Sequence, residues 1–167
     1  MLSGLRTFAT MTVLVAMIVV AGLWGWHAAT RPFPSRAKAQ SCTTTQLHAG
    51  DQISPVDVTV SILNASNRGG LAELTLTDME KHQFGAGTTG NAPASASVRN
   101  VEIWAPDPSN PAVQLVHTWL PQARVVKRAS PAAGVTVVVG PNFSRVGNGK
   151  ASLKVSKDAT ICSPVLD

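Results

Sequence analysis

A chain of 167 residues, 44% hydrophobic and 14% charged, suits one modest core and excludes a large second domain beside it. Its formal net charge of +5 and pI near 9.8 suggest nucleic acid until the charges are placed. Of the 14 cations, Arg6, Arg31, Arg36 and Lys38 flank the first apolar segment, leaving ten against nine acids in residues 40–167, which excludes a nucleic-acid binder.

Residues 7–26 are uncharged. A hydrocarbon core of about 30 Å needs roughly 20 apolar residues of helix, and residues 11–20 supply the apolar centre, with Trp24 and Trp26 as an interfacial belt. The expectation is a single-pass signal anchor at 7–26, with residues 1–6 cytoplasmic and the C-terminal domain extracytoplasmic. A cleaved secretory signal competes, with Arg6 as its charged start and Ala37-Lys38-Ala39 as its cleavage site. The apolar run exceeds the roughly 7–15 residues of a signal core, which favours retention. Arg31, Arg36 and Lys38 follow the segment while Arg6 precedes it, so the positive-inside rule does not favour an outward carboxyl end.

Residues 27–54 read as an extracytoplasmic tether, polar and proline-containing. The two cysteines, Cys42 and Cys162, bracket the folded region near its two ends. Such a pair suits a disulfide closing a domain whose ends meet in an oxidising compartment; two buried thiols in the cytosol are the alternative.

Val56, Val58, Val60 and Ile62 alternate with Asp57, Thr59 and Ser61 as a half-buried strand. Residues 64–70 break it, and the spacing of Leu71, Leu74, Thr75 and Met79 predicts a helix to about Lys81. Between Phe84 and Ser97 the chain offers little to bury, so it forms a weak edge strand running into a loop or a mobile excursion. Residues 98–104 restore strand character. A second helix comes next, capped by Ser109 or Asn110, opened by Pro111, buried through Ala112, Leu115, Val116 and Trp119, and stopped by Pro121. Residues 123–128 and 134–140 are the last strong strands, and the second, apolar on both faces, is the central one. Residues 151–156 offer a further strand that returns Cys162 to Cys42.

The order β-α-β-β-α-β-β predicts a compact two-layer α/β sandwich: a mixed sheet of about five strands with two helices on one face, preceded by the transmembrane helix. The domain spans 55–143, and 144–167 is a C-terminal extension closed by the disulfide. Its charge is uneven, with seven acids against three bases in residues 51–107 and seven bases against two acids from Pro108 onward. One basic side, or an ordinary solvated surface, accounts for that.

Val58-Thr-Val-Ser-Ile-Leu-Asn-Ala-Ser-Asn-Arg-Gly-Gly-Leu-Ala72, Phe84, the strand at Val101, the helix with Ala112 and Leu115, and Val137-Val-Val-Gly-Pro-Asn-Phe143 resemble the LytR C-terminal domain family. The resemblance covers about half of the chain. Its most specific parts, Leu63-Asn64-Ala65-Ser66 with Gly69-Gly70-Leu71-Ala72 and the closing Val-Val-Gly, carry no catalytic signature. It implies an extracytoplasmic accessory domain attached to cell-envelope or cell-wall machinery, without the separate catalytic domain by which larger LytR proteins transfer phosphate-linked polymers. One departure stands out: the family's second strand is usually apolar, whereas Gly85-Ala-Gly-Thr-Thr-Gly90 is not.

Two groups of residues are candidate sites for a polymer or anion. In the first, Asn64, Ser66, Asn67, Arg68, Gly69 and Gly70 precede a helix whose free N–H groups and positive dipole end would receive a phosphate or carboxylate. The plain alternative has Asn67 or Ser66 capping the helix and Gly69-Gly70 making a tight turn. In the second, Arg124, Lys127 and Arg128 on an edge strand present cations to an acidic polymer, or simply guard the edge against aggregation. Trp104 and Trp119 read as packing rather than as sugar-stacking residues. His27, His48, His82 and His117 lie in unrelated contexts without metal spacing, and no nucleophile elbow occurs, so no metal, cofactor or enzymatic activity is expected. The expected partners are the membrane, an anionic cell-wall glycopolymer or peptidoglycan, and envelope-assembly membrane proteins. The leading reading is a non-catalytic module that supports envelope integrity. A protein-binding accessory subunit of an integral membrane complex is the alternative, and a small enzyme comes third.

Overall fold

The computed structural model describes residues 2–30 and 42–165, with side chains described at 11–26 and 42–165. The chain divides into two compact units, Met1–Ala39 and Gln40–Asp167. In the first, helix α1 spans Leu2–Thr30. Its described side chains are all exposed, Trp24 at 79% and Ile18 at 70%. Among the described residues no helix is long and apolar enough to cross a membrane. The expected span, 7–26, begins before the first described side chain. Most of the polar linker, residues 31–41, lies outside the described residues.

The second unit begins where the tether was expected to continue. Strand β1 (Cys42–Leu47) pairs antiparallel with the last strand, β9 (Ala159–Pro164), and β2 (Gln52–Ile53) pairs with β8 (Leu153–Lys154). The second half of the 27–54 segment is therefore folded. Cys42 and Cys162 form a disulfide across the β1–β9 ribbon, with Cα atoms 5.3 Å apart and a sequence separation of 120. The return of the C-terminal segment is made by β9, whose threonine-rich partner β1 shows no apolar run.

Between these ribbons lie β3 (Thr59–Asn64), α2 (Leu71–Lys81), β4 (Gly85–Asn91), β5 (Val101–Ala105), α3 (Pro111–Trp119), β6 (Arg124–Lys127) and β7 (Val135–Val139). This is the expected β-α-β-β-α-β-β order. The sheet runs β4-β3-β7-β5-β6, with β3 parallel to β4 and β7, β5 parallel to β6, and β5 antiparallel to β7. Two parallel βαβ units, β3-α2-β4 and β5-α3-β6, thus flank β7 and point in opposite directions.

Both helices pack on one face. Val60, Ile62, Val137 and Ile103 of the sheet share a buried cluster with Leu76 and Met79 of α2 and Leu115 and Val116 of α3. The opposite face carries a smaller cluster of Leu63, Val98, Trp104 and Val138, with Ala92 and Ala96 packed on it. No helix contributes to that second cluster; the chain after β4 supplies its cover.

Strand β3 differs from the expected half-buried strand. It starts at Thr59, after a short 3-10 turn at Pro55–Asp57, and all six residues are buried. Thr59 and Ser61 are polar yet interior because the connections cover their face: Ser61 Oγ donates to the Ala133 carbonyl at 2.6 Å and accepts from the Thr88 N–H at 3.0 Å. The same contact explains the apolar-poor strand β4. A Cβ at Gly87 would run into Ser61 Oγ and the Val60 backbone, so the strand keeps glycine where its neighbour approaches closely. The register shifts between Val60 and Ile62 at that point.

The helix ends follow local chemistry. Asn110 Oδ1 accepts the Ala112 N–H at 3.0 Å ahead of Pro111, as expected. Helix α2 starts differently: its cap is Gly70, in the left-handed region at φ 73, rather than Ser66 or Asn67. Residues 144–152 run beside α3, where the Gly147 N–H donates to the Trp119 carbonyl at 2.8 Å and the Trp119 Nε1–H to the Lys150 carbonyl at 3.1 Å.

Replacing both Cys42 and Cys162 by Ser is expected to lower the unfolding free energy by about 2 to 5 kcal/mol, because the bond closes a long loop in the unfolded chain. Urea denaturation with and without reductant measures this; a reductant-insensitive wild-type midpoint would contradict it.

Candidate functional site

Each βαβ unit opens a crevice where its first strand gives way to its helix. At the end of β3, Asn64 Oδ1 accepts the Ser66 N–H at 2.9 Å and the Ser66 hydroxyl at 2.7 Å, while Asn64 Nδ2 donates to the Arg68 carbonyl at 2.7 Å. Ser66 Oγ then accepts the Arg68 N–H at 3.1 Å. The polar side chains of this loop thus fold the loop itself.

Arg68 turns to the neighbouring segment. Its Nη1 donates to the Phe143 carbonyl at 2.8 Å and lies 3.4 Å from the Pro141 carbonyl, stapling the loop to the chain after β7. The adjoining crevice, about 200 Å³, is lined by Asn64, Gly70, Ala72, Glu73, Thr89 and Asn91, with Gly90 beside them. Of the first group of candidate residues it holds Asn64 and Gly70; Ser66, Asn67, Arg68 and Gly69 do not line it. Glu73 stands in the first turn of α2 and accepts the Thr89 hydroxyl at 3.0 Å. A carboxylate already occupies the positive end of the helix, so the crevice is poorly suited to an anion.

The second crevice, about 190 Å³, lies beyond β5, at the start of α3 and against β7 and β9. Asp107, Asn110, Val113, Ser130, Ile161 and Cys162 are among its lining residues. Asp107 Oδ1 accepts the Ser109 hydroxyl at 2.7 Å and the Ser109 N–H at 2.9 Å, and Oδ2 lies 3.8 Å from Lys157 Nζ. The two hydrogen bonds from Ser109, and then the Lys157 charge, hold its carboxyl below the ordinary aspartate value. Sequence reasoning missed this crevice. The available signal was Asp107-Pro108-Ser109, an acid two residues before a serine at a helix entrance, which reads as a turn.

The second group of candidate residues does not form one patch. Arg124 pairs in register with Glu102 and Lys127 with Ala105; alternation places Arg124 on the face of Trp104 and Lys127 on the helix side. Arg128 lies with its guanidinium 4.3 Å from the Trp104 ring centroid, on the helix-free face. Both tryptophans pack as expected. Trp104 is 2% exposed and its Nε1–H donates to Glu102 at 2.9 Å. Trp119 packs at 4.4 Å against the His82 ring and edge-on to Phe84 at 6.0 Å between centroids. Elsewhere His48 lies 3.6 Å from Asp158, and His117 Nε2 is 3.1 Å from the Ala123 carbonyl. Among the described residues no group of three or more His, Cys, Asp or Glu is placed to hold a metal ion.

Arg68→Ala is expected to cost about 1 kcal/mol of stability by freeing the Phe143 carbonyl. Urea unfolding measures this, and an unchanged midpoint would show the staple to be idle.

The LytR_C family, described as LytR cell envelope-related transcriptional attenuator, matches residues 57–143. No curated protein matches the chain. Among solved structures, the fold is similar to the soluble domain of a conserved hypothetical secreted protein from Mycobacterium marinum. The TM-score is 0.50 at 20% identity, covering 62% of this chain and 70% of that one. With half of its length matched from β3 to the residues after β7, the chain belongs to the LytR_C family, whose description ties it to the cell envelope.

Proposed function

We propose that the chain is a membrane-anchored, extracytoplasmic, non-catalytic module that supports envelope integrity by holding a wall glycopolymer or peptidoglycan, or by scaffolding the machinery that attaches it. The observation that carries this reading is the pairing of an apolar N-terminal helix, its described side chains exposed, with a LytR_C domain closed by a disulfide. A disulfide of this kind suits an oxidising compartment. The layout resembles that of the actinobacterial cell envelope integrity protein Cei.

On this reading the polymer-binding roles fall outside the two crevices. With Glu73 in one crevice and Asp107 in the other, phosphate has no welcome in either. An anionic polymer instead meets exposed cations outside them, such as Arg124 on the edge of the sheet. Such contacts are weak singly and screened by salt, so retention depends on several acting together. Peptidoglycan, richer in hydroxyl and amide groups, places fewer demands on charge. A protein-binding accessory subunit remains the second reading, favoured by the exposed apolar side chains of α1, which in a bilayer would be free to meet another helix.

Retention of the chain on purified cell wall, before and after acid removal of phosphodiester-linked polymers and at low and high salt, tests the proposal. Retention lost on stripping or on raising salt, and reduced in Arg124→Ala, is the expected result for a polymer binder. Absence of retention under every condition would contradict wall binding.

A further inference from the structure

The crevice beyond β5 sits where an open α/β sheet presents ligands, outside the carboxyl end of a strand and at the start of the following helix. Three stretches of chain, 104–113, 130–135 and 160–162, build it, and two ties fix their positions. Asn110 Nδ2 donates to the Thr160 carbonyl at 2.9 Å, and Cys162 is bonded to Cys42. Its walls are largely apolar, including Ala105, Val113, Val135 and Ile161.

The polar side chains at this crevice are nearly all engaged with the protein. Asn110 Oδ1 is taken by the Ala112 N–H, and the Ser130 hydroxyl by the Ala132 carbonyl at 2.8 Å and by Thr136 Oγ1 at 2.5 Å. Asp107 Oδ1 is taken by Ser109. Asp107 Oδ2 is the exception: the ammonium of Lys157 stands 3.8 Å away, beyond hydrogen-bonding distance, while donating instead to Ser109 Oγ at 2.8 Å. The Asp107 side chain is 56% exposed, so a ligand can reach it. The crevice therefore combines an apolar interior with one under-used carboxylate oxygen, beside which an ammonium group already sits.

From this arrangement we infer that the crevice binds a small molecule carrying a primary ammonium group on a short aliphatic stem. The stem displaces water from the apolar walls, and the ammonium donates to Asp107 Oδ2 in place of Lys157. A carboxylate or phosphate at the same position meets Asp107 with like charge. Removal of apolar surface from water supplies most of the affinity. An exposed ion pair adds little, so its part is selectivity by a factor of about two to five. The inference stands whether or not the chain holds a wall polymer.

Methyl-resolved NMR of the full chain in detergent, titrated separately with butylamine, butanol and butyrate at one pH and ionic strength, tests it. Butylamine is expected to give saturable shifts at the Ala105, Val113, Val135 and Ile161 methyl groups, butanol binding about two- to five-fold more weakly and butyrate weaker still. Asp107→Asn is expected to abolish the preference for the amine while leaving the butanol response. Lys157→Met removes the resident competitor and is expected to tighten butylamine by about two- to five-fold, which keeps the inference testable if the Asp107 variant disturbs the turn. Equal responses to butylamine and butyrate, or no saturable response in wild type and Lys157→Met alike, would overturn it. Shifts with Nα-acetyl-lysine amide but none with butylamine would overturn it in favour of a protein side chain.

Discussion

Burial of the two central strands on both faces is the constraint on which the rest of the domain depends. Every residue of β3 and β7 is buried, yet the helices cover only one face of the sheet. The other face has to be covered by connections, and the chain meets that demand with residues 92–98 over Leu63, Trp104 and Val138 and with the approach to β7 over Ser61. Polar groups remain on that interior, and hydrogen bonds account for Ser61 and Thr136. Thr59 Oγ1 is buried without a partner, at a cost of about 1–3 kcal/mol. The disulfided β1–β9 ribbon acts from the periphery, tying the first and last strands of the unit to each other.

How far the sequence revealed this depended on whether the cause of each element was local. Strand β7 was legible because five consecutive β-formers, apolar save Thr136, can only be central. Helix α3 was legible because Asn110 and Pro111 state its start and Pro121 its end. Strand β4 was ambiguous, since its glycine at position 87 answers to a side chain 26 positions away in sequence. The β1–β9 ribbon escaped for a similar reason: half-exposed threonines on strands more than 100 residues apart carry no periodic apolar signal. The candidate site fared likewise. Arg68, beside a glycine-rich turn, suggested an anion ligand, but its carbonyl acceptors lie 73 and 75 residues further along the chain. Asp107 was passed over because its neighbours read as a turn, and only the fold brings Lys157 and β9 to it.

The two crevices share a logic that membership of the family alone does not give. In each, an acid stands at or near the entrance of a helix whose dipole favours negative charge, Glu73 in the first turn of α2 and Asp107 ahead of α3. Glu73 stabilises the start of α2, and each carboxylate weighs against an anion in its crevice. On the proposed reading, hydroxyl, amide and ammonium groups would be received within the crevices, and anions would be left to surface cations outside them.

The claim on which the account turns is that this disulfide-closed domain stands in an oxidising space outside the membrane. Thiol labelling in intact cells tests it most directly: free thiols are blocked in situ, the protein is denatured and reduced, and newly exposed thiols are tagged with a mass-shifting maleimide. The account predicts a shift for two thiols that appears only after reduction, from Cys42 and Cys162. Both cysteines blocked before reduction, with no later shift, would contradict it.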